Sequence, residues 1–214
     1  IRLTVGGRQR ASAAMSSFFS KGLDLVKNLR TGFSPQTLTF DEITVTTTAL
    51  LAEGGYSFVY SAKELVKADS PSLRRESGGP RTFAAKKVLT QDAETREIAE
   101  TECRLLKRFT GQHGFVKFYG STCKVIDRSR REYWMLLEFC PNGSLVDLLY
   151  EKTKAGDFQR KSPIARDKIL RIFEGLVAAV AHMHQQQPPV AHRDLKLENV
   201  LGTADGTFVL CDFG

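Results

Sequence analysis

His192-Arg193-Asp194-Leu195-Lys196-Leu197-Glu198-Asn199 carries more chemistry than any other stretch of the chain. It sets a carboxylate, an ammonium two positions later and a carboxamide three positions beyond that. Phosphoryl transfer requires an acceptor hydroxyl to be oriented and its proton accepted as the new bond forms, and Asp194 is a carboxylate suited to that task. Lys196 can neutralise charge on a transferring phosphate, and Asn199 offers a neutral oxygen to a hard Mg²⁺ ion. The competing interpretation, a charged surface loop, requires several chemically matched positions to coincide by chance.

Working outward, Asp212-Phe213-Gly214 lies eighteen residues after Asp194. Val200-Leu201, a turn over 202–206 and Phe208-Val209-Leu210 have the pattern of a hairpin between them, which would return Asp212 to the side of Asn199 as a second metal ligand. Upstream, Leu51-Ala52-Glu53-Gly54-Gly55-Tyr56-Ser57-Phe58-Val59 places two glycines between strand-like runs, as a hairpin turn or a phosphate-approaching loop would. Phe83-Ala84-Ala85-Lys86-Lys87 is a strand ending in two lysines, either of which can hold phosphates. The helix expected over 92–109 offers Glu94, Glu97, Glu100 and Glu102 as the carboxylate partner, and the pattern leaves both choices open. Met135 to Ser144 is an apolar strand followed by a Pro-Asn-Gly turn, which suits a hinge between lobes or a plain strand end.

The remaining texture gives the order of elements. Thr, Val, Ile and Leu dominate from Thr39 to the glycines, which suits strands. Strands are also expected over 56–63, 83–89, 115–126 and 133–139. A polar Gly/Pro-rich loop spans 67–81. After the Pro-Asn-Gly turn the pattern becomes helical, with a short helix over 144–152 and a longer one over 163–184. Ile169, Ile172, Leu176, Val180 and Met183 share one face of the longer helix. Strands, one helix, strands and then helices describe an α+β chain in two lobes, divided near 138–143. Residues 16–30 suit either an amphipathic helix on a membrane surface or a helix packed on its own domain, and Gly22 favours the second.

Composition excludes several classes. Hydrophobic residues at 42% and charged residues at 26% describe a globular domain rather than a disordered chain. The net charge of +7 has no accompanying nucleic-acid motif, so it is assigned to solvated clusters such as Arg128, Arg130 and Arg131. Cys103, Cys123, Cys140 and Cys211 form no C-x-x-C pair, which speaks against a zinc site or a disulfide frame. No apolar run reaches the roughly 20 residues of a membrane span. His113, His182, His184 and Trp134 are expected to serve packing, capping or loops rather than chemistry.

On these motifs the chain resembles a eukaryotic protein kinase. LAEGGYSFVY, LLEFCPNG, HRDLKLENVL and VLCDFG are similar in particular to segments of the Numb-associated kinase family, which includes adaptor-associated and cyclin-G-associated kinases. The resemblance covers about residues 40–214. It aligns Ala52, Gly54 and Ser57 with the three glycine positions of the kinase loop, of which only Gly54 is kept. It implies that Leu51, Ala52, Gly54, Gly55, Val59 and Ala84 surround ATP, and that Lys86 is the phosphate-holding lysine with Glu102 its partner. It further implies that Leu137 is the gatekeeper ahead of a hinge running from Glu138 to Cys140. Asp194 and Lys196 become the catalytic pair, and Asn199 and Asp212 the Mg²⁺ ligands. The 67–81 loop is long for the family.

The implied organisation is a basic, partly disordered N-terminal extension over 1–38 that could hold an amphipathic helix, a small lobe over 39–138 with a five-stranded sheet and one helix, and a hinge with the first part of a large lobe over 139–214. The implied activity is transfer of the ATP γ-phosphate to a serine or threonine of a protein substrate, with clathrin-adaptor proteins as candidates. The expected location is cytoplasmic, with peripheral membrane contact. An ATP-binding pseudokinase or scaffold is the alternative, disfavoured because every charged catalytic position is filled. The start at Ile1, with Met15 the first methionine, and the end at Gly214 suggest a fragment whose large lobe is truncated, expected to be poorly soluble and inactive when expressed alone.

Overall fold

The structure is a computed structural model that describes residues 34–65, 79–153 and 157–213. The helix expected within 16–30, most of the 67–81 loop and Gly214 lie outside the described residues. Six antiparallel strands form one sheet: β1 (Thr37–Phe40), β2 (Ile43–Glu53), β3 (Ser57–Glu64), β4 (Thr82–Thr90), β5 (Phe118–Val125) and β6 (Arg131–Glu138). Their spatial order is β1-β2-β3-β4-β6-β5. The expectation of five strands is therefore corrected to six, beginning at Thr37 rather than Thr39. The extra strand exists because Phe40 pairs with Ile43 across a two-residue turn, in which Asp41 adopts a φ of 47°. Phe40 and Val45 then bury their side chains against the sheet's own core.

Side-chain alternation gives this sheet two different faces. One carries Phe40, Val45, Ala62, Phe83, Ala85, Trp134 and Leu136 in a closed cluster. Trp134, 2% exposed, is core as expected. The other face carries Ala84, Val88, Tyr133, Met135 and Leu137, and packs against α1 (Ala93–Phe109) and the second lobe. Asp92 starts α1 with a reciprocal capping box to Thr95. The buried stripe of α1 is Ala99, Glu102, Leu106 and Phe109.

Beyond β6 come α2 (Leu145–Leu149), a hairpin of β7 (Tyr150–Lys152) and β8 (Phe158–Arg160), α3 (Arg166–His184), a 3₁₀ turn over Leu197–Asn199, and a hairpin of β9 (Val200–Gly202) and β10 (Phe208–Leu210). The helix expected over 144–152 ends at Leu149, because Tyr150 turns extended and residues 150–152 pair with 158–160. The longer helix begins at Arg166 rather than 163. Its apolar face is buried at its C-terminal end, where Met183 is fully enclosed, and open at its N-terminal end, where Ile169, Leu170 and Phe173 are at least half exposed. Ile169 and Phe173, with Leu145, Leu149, Leu195 and Leu197, line an apolar groove.

The β9–β10 hairpin expected from the sequence is present, and it is clamped to the inter-lobe turn. Gly202 N–H donates to the Gly143 carbonyl at 2.7 Å, Asn142 N–H donates to the Gly202 carbonyl at 3.2 Å, and Asn142 Nδ2 donates to the Thr203 carbonyl at 2.6 Å. A Cβ at Gly202 would stand 2.8 Å from Asn142 Cβ, so the two backbones meet only because position 202 has no side chain. Gly202→Ala is expected to destabilise the protein by about 1–3 kcal/mol, read from urea unfolding; stability equal to wild type would contradict this contact.

Candidate active site

Strand alternation resolves the choice between the two lysines. Lys86 lies on the α1 side of β4 and is 8% exposed, whereas Lys87 points to the opposite face. There Lys87 pairs with Glu132 at 2.6 Å, with its Nζ 5.4 Å from the centroid of the Trp134 ring. Among the four glutamates of α1, it is Glu102 that reaches Lys86 Nζ, at 2.5 Å. Asp212 takes the same ammonium from the second lobe, so Lys86 joins β4, α1 and the segment after β10. Burial works against the Lys86 charge, but the Glu102 and Asp212 carboxylates outweigh it and hold its pKa above the ordinary lysine value. Burial also opposes ionisation of Asp212, and there Lys86 prevails, keeping the carboxyl below the usual aspartate range. Glu102 is the more deeply buried carboxylate, and desolvation pushes it up against the pull of Lys86.

Asp194, Lys196 and Asn199 lie in contact with one another. Asp194 Oδ2 accepts from Lys196 Nζ at 2.6 Å and from Asn199 Nδ2 at 2.9 Å, and the same Asn199 nitrogen donates to the Asp194 carbonyl at 2.9 Å. Both Asn199 bonds use the amide nitrogen, which leaves its oxygen to meet a hard cation. The hydrogen bond to Asp194 raises the Lys196 pKa, so that side chain stays cationic. Arg193 and Asp212 adopt left-handed backbone, with φ of 67° and 65°. Such conformations are uncommon outside glycine and tend to collect at functional sites.

Two residues inside the quoted motifs have a role that pattern reading did not draw out. Phe213, 2% exposed, packs its ring 5.8 Å from Phe109 of α1, 6.0 Å from Phe115 and 5.4 Å from His192. His192 Nε2 lies 3.0 Å from the Cys211 carbonyl. His192 therefore braces the segment that carries Asp212. The signal lay in the aromatic residues themselves, because Phe109, Phe115 and Phe213 are large apolar side chains that must be buried together. His182, at the end of α3, completes the cluster edge-on to Phe109 at 6.0 Å, as a packing residue.

The remaining expected nucleotide contacts surround this centre. Ala52 pairs with Val59 across β2–β3, Val59 with Lys86 across β3–β4, and Ala84 with Leu137 across β4–β6. Small or apolar side chains therefore flank the lysine on neighbouring strands. Leu51 lies in β2, half-buried, and the Gly54–Gly55 turn is exposed. Gly54 N–H donates to the Ser57 carbonyl at 2.7 Å, and a Cβ there would approach Ser57 Oγ to 2.9 Å. Leu137 is buried at the end of β6, and Glu138 N–H donates to the Lys117 carbonyl at 2.9 Å. The Cys140 carbonyl accepts from Gly143 N–H at 3.3 Å, which closes the inter-lobe turn. Burial pushes the Cys140 thiol up to about 12, so it stays neutral. A flat apolar base, a phosphate chain and a divalent cation fit this set: small side chains, an ammonium, and the oxygens of Asn199 and Asp212.

Residues 48–214 match the protein kinase domain family. A probable serine/threonine-protein kinase of Dictyostelium discoideum is 34% identical over 165 residues, covering 77% of this chain and 13% of the relative. A protein kinase domain-containing protein of Schizosaccharomyces pombe is 35% identical over 186 residues, covering 87% of this chain and 26% of the relative. A serine/threonine-protein kinase of the same yeast is 32% identical over 165 residues, covering 77% and 15%. The chain thus spans about a quarter or less of the length of each of these relatives.

Removing Lys86 would leave Glu102 buried without its cation. Lys86→Met is expected to cost about 3–5 kcal/mol of stability in urea unfolding, and Lys86→Met combined with Glu102→Leu to recover much of the loss. A double variant no more stable than the single one would contradict an uncompensated charge as the cause.

Proposed function

This chain belongs to the protein kinase domain family, and we propose that it supplies the ATP-binding and phosphoryl-transfer centre of a serine/threonine protein kinase. The observation that carries the proposal is a pair of charged clusters brought next to each other by the Cys211 N–H bond to the Asn199 carbonyl at 3.0 Å. Lys86, Glu102 and Asp212 form one, and Asp194, Lys196 and Asn199 the other.

Each group has a defined task. Lys86, held by Glu102, binds and orients the phosphates of the nucleotide. Asp194 has one carboxylate oxygen engaged by Lys196 and Asn199 and directs the other to the acceptor hydroxyl, whose proton it takes. Lys196 offsets the negative charge that the transferring group presents. Asn199 and Asp212 would hold Mg²⁺, which when bound neutralises the phosphate oxygens and fixes their orientation. Phe213 and His192 keep Asp212 turned toward Lys86. Most of the barrier reduction in such a site comes from positioning and charge stabilisation, with little covalent work for the protein.

At a finer level we place the chain with the Numb-associated kinases, with cytoplasmic clathrin-adaptor proteins as substrates. The support is the LAEGGYSFVY loop and the hinge segment ending in Cys140, both similar to that family. Phosphorylation of clathrin-adaptor subunits by the full-length protein, at serine or threonine and in preference to a generic basic substrate, is the expected outcome. No preference would sink the finer placement and leave the kinase proposal untouched.

The general proposal is tested on Asp194. In the full-length protein, Asp194→Ala is expected to lower phosphoryl transfer by about 10²–10⁴-fold while ATP affinity stays near wild type. Unchanged turnover would contradict the role given to Asp194.

A further inference from the structure

Helix α1 is attached to the sheet by a second polar link besides Glu102–Lys86. Tyr133 Oη donates to Glu100 Oε1 at 2.6 Å. Tyr133 is 6% exposed and its ring belongs to the core between the sheet and α1, together with Ala99, Leu106 and Met135. It stands on β6 opposite Val88, two residues from the Met135 that faces Lys86, so the tyrosine and the lysine rise from the same face of adjacent strands. Residues two apart on a helix are rotated by about 200° about its axis. The carboxylates of Glu100 and Glu102 therefore leave α1 in divergent directions, one into the site and one along the flank. A helix tied at one point can still roll about that contact. A helix tied at two divergent points on two strands cannot roll without breaking one of them.

We propose that Tyr133 is a positioning residue that, through Glu100, locks the rotation of α1 and so keeps Glu102 on Lys86. The proposal rests on the kinase reading above for its consequence, though not for its geometry. Burial and the Glu100 carboxylate push the Tyr133 hydroxyl up to about 12, so it remains a donor across the physiological range. The link is absent from the motifs that carry the family resemblance, because neither residue touches the nucleotide site. Its effect is on the fraction of molecules in which Lys86 is correctly held, and a reduced competent fraction weakens apparent nucleotide affinity without altering the chemistry of the bound complex.

The test uses Tyr133→Phe in the full-length protein, which keeps the buried ring and removes only the hydroxyl. Amide hydrogen exchange in α1 is expected to rise by about tenfold, the loss anticipated for one hydrogen bond to a charged group. KM for ATP is expected to rise while kcat at saturating ATP stays within about twofold. Glu100→Ala should reproduce both changes and add nothing to Tyr133→Phe in the double variant, while Glu100→Gln, which keeps an acceptor oxygen, should restore wild-type behaviour. Unchanged α1 exchange, or faster exchange with an unchanged KM, overturns the proposal. A wild-type protein that transfers no phosphate sinks the kinase reading instead, and the exchange rates with the affinity for a non-hydrolysable ATP analogue then decide this one. Should Tyr133→Phe fail to fold, the half-buried Glu100 carries the same measurements.

Discussion

One buried ammonium organises this molecule. Lys86 holds Glu102 of α1 and Asp212 of the second lobe at once, so three segments far apart in sequence converge on a single side chain. The contact is possible because alternation along β4 turns Lys86 toward α1 while Lys87 faces the other way, and because α1 buries Glu102 in the same stripe as Ala99 and Leu106. Two carboxylates against one ammonium leave an excess of negative charge in a partly desolvated pocket. Such an arrangement is tolerable with surrounding hydrogen bonds and becomes more favourable when a divalent cation joins it. In the proposed reading, that excess negative charge is what a divalent cation held by Asp212 and Asn199 would offset.

The rest of the fold reads as support for that convergence. The aromatic cluster of Phe109, Phe115, Phe213 and His192 ties the end of α1 to the segment presenting Asp212. The close approach of Gly202 to Asn142 fixes the β9–β10 hairpin against the inter-lobe turn, and so sets where Asn199 and Asp212 stand relative to β6. The left-handed backbone at Arg193 and Asp212 lies next in sequence to His192 and Phe213 of the aromatic cluster, so the uncommon conformations sit where packing is tight.

Much of the site was legible in the sequence because its chemistry is local. Asp194, Lys196 and Asn199 lie within six residues, and the hairpin that returns Asp212 has clear strand and turn signals. What was ambiguous required knowledge of faces. Neither Lys86 nor Lys87 is distinguished by propensity, and only the pairing of β4 with its neighbours orients them. The sixth strand has little signal in the sequence, because Thr37–Phe40 is short and its turn depends on a left-handed Asp41 rather than a glycine. The helical pattern over 144–152 overruns the helix itself, because the competing β7–β8 pairing draws on residues 158–160, beyond that pattern. The Tyr133–Glu100 link left no trace in any periodic pattern, since it joins one residue of a buried strand to one on a helix flank.

If the Lys86 cluster receives a metal-bound nucleotide through Asp212, Mg²⁺ must strengthen nucleotide binding by way of that carboxylate. Calorimetric titration of the full-length protein with a non-hydrolysable ATP analogue, with and without Mg²⁺, addresses it directly when wild type is compared with Asp212→Asn. Mg²⁺ is expected to tighten binding to wild type by about tenfold or more, and Asp212→Asn to lose this gain while keeping metal-free binding. An equal gain from Mg²⁺ in both proteins would contradict it.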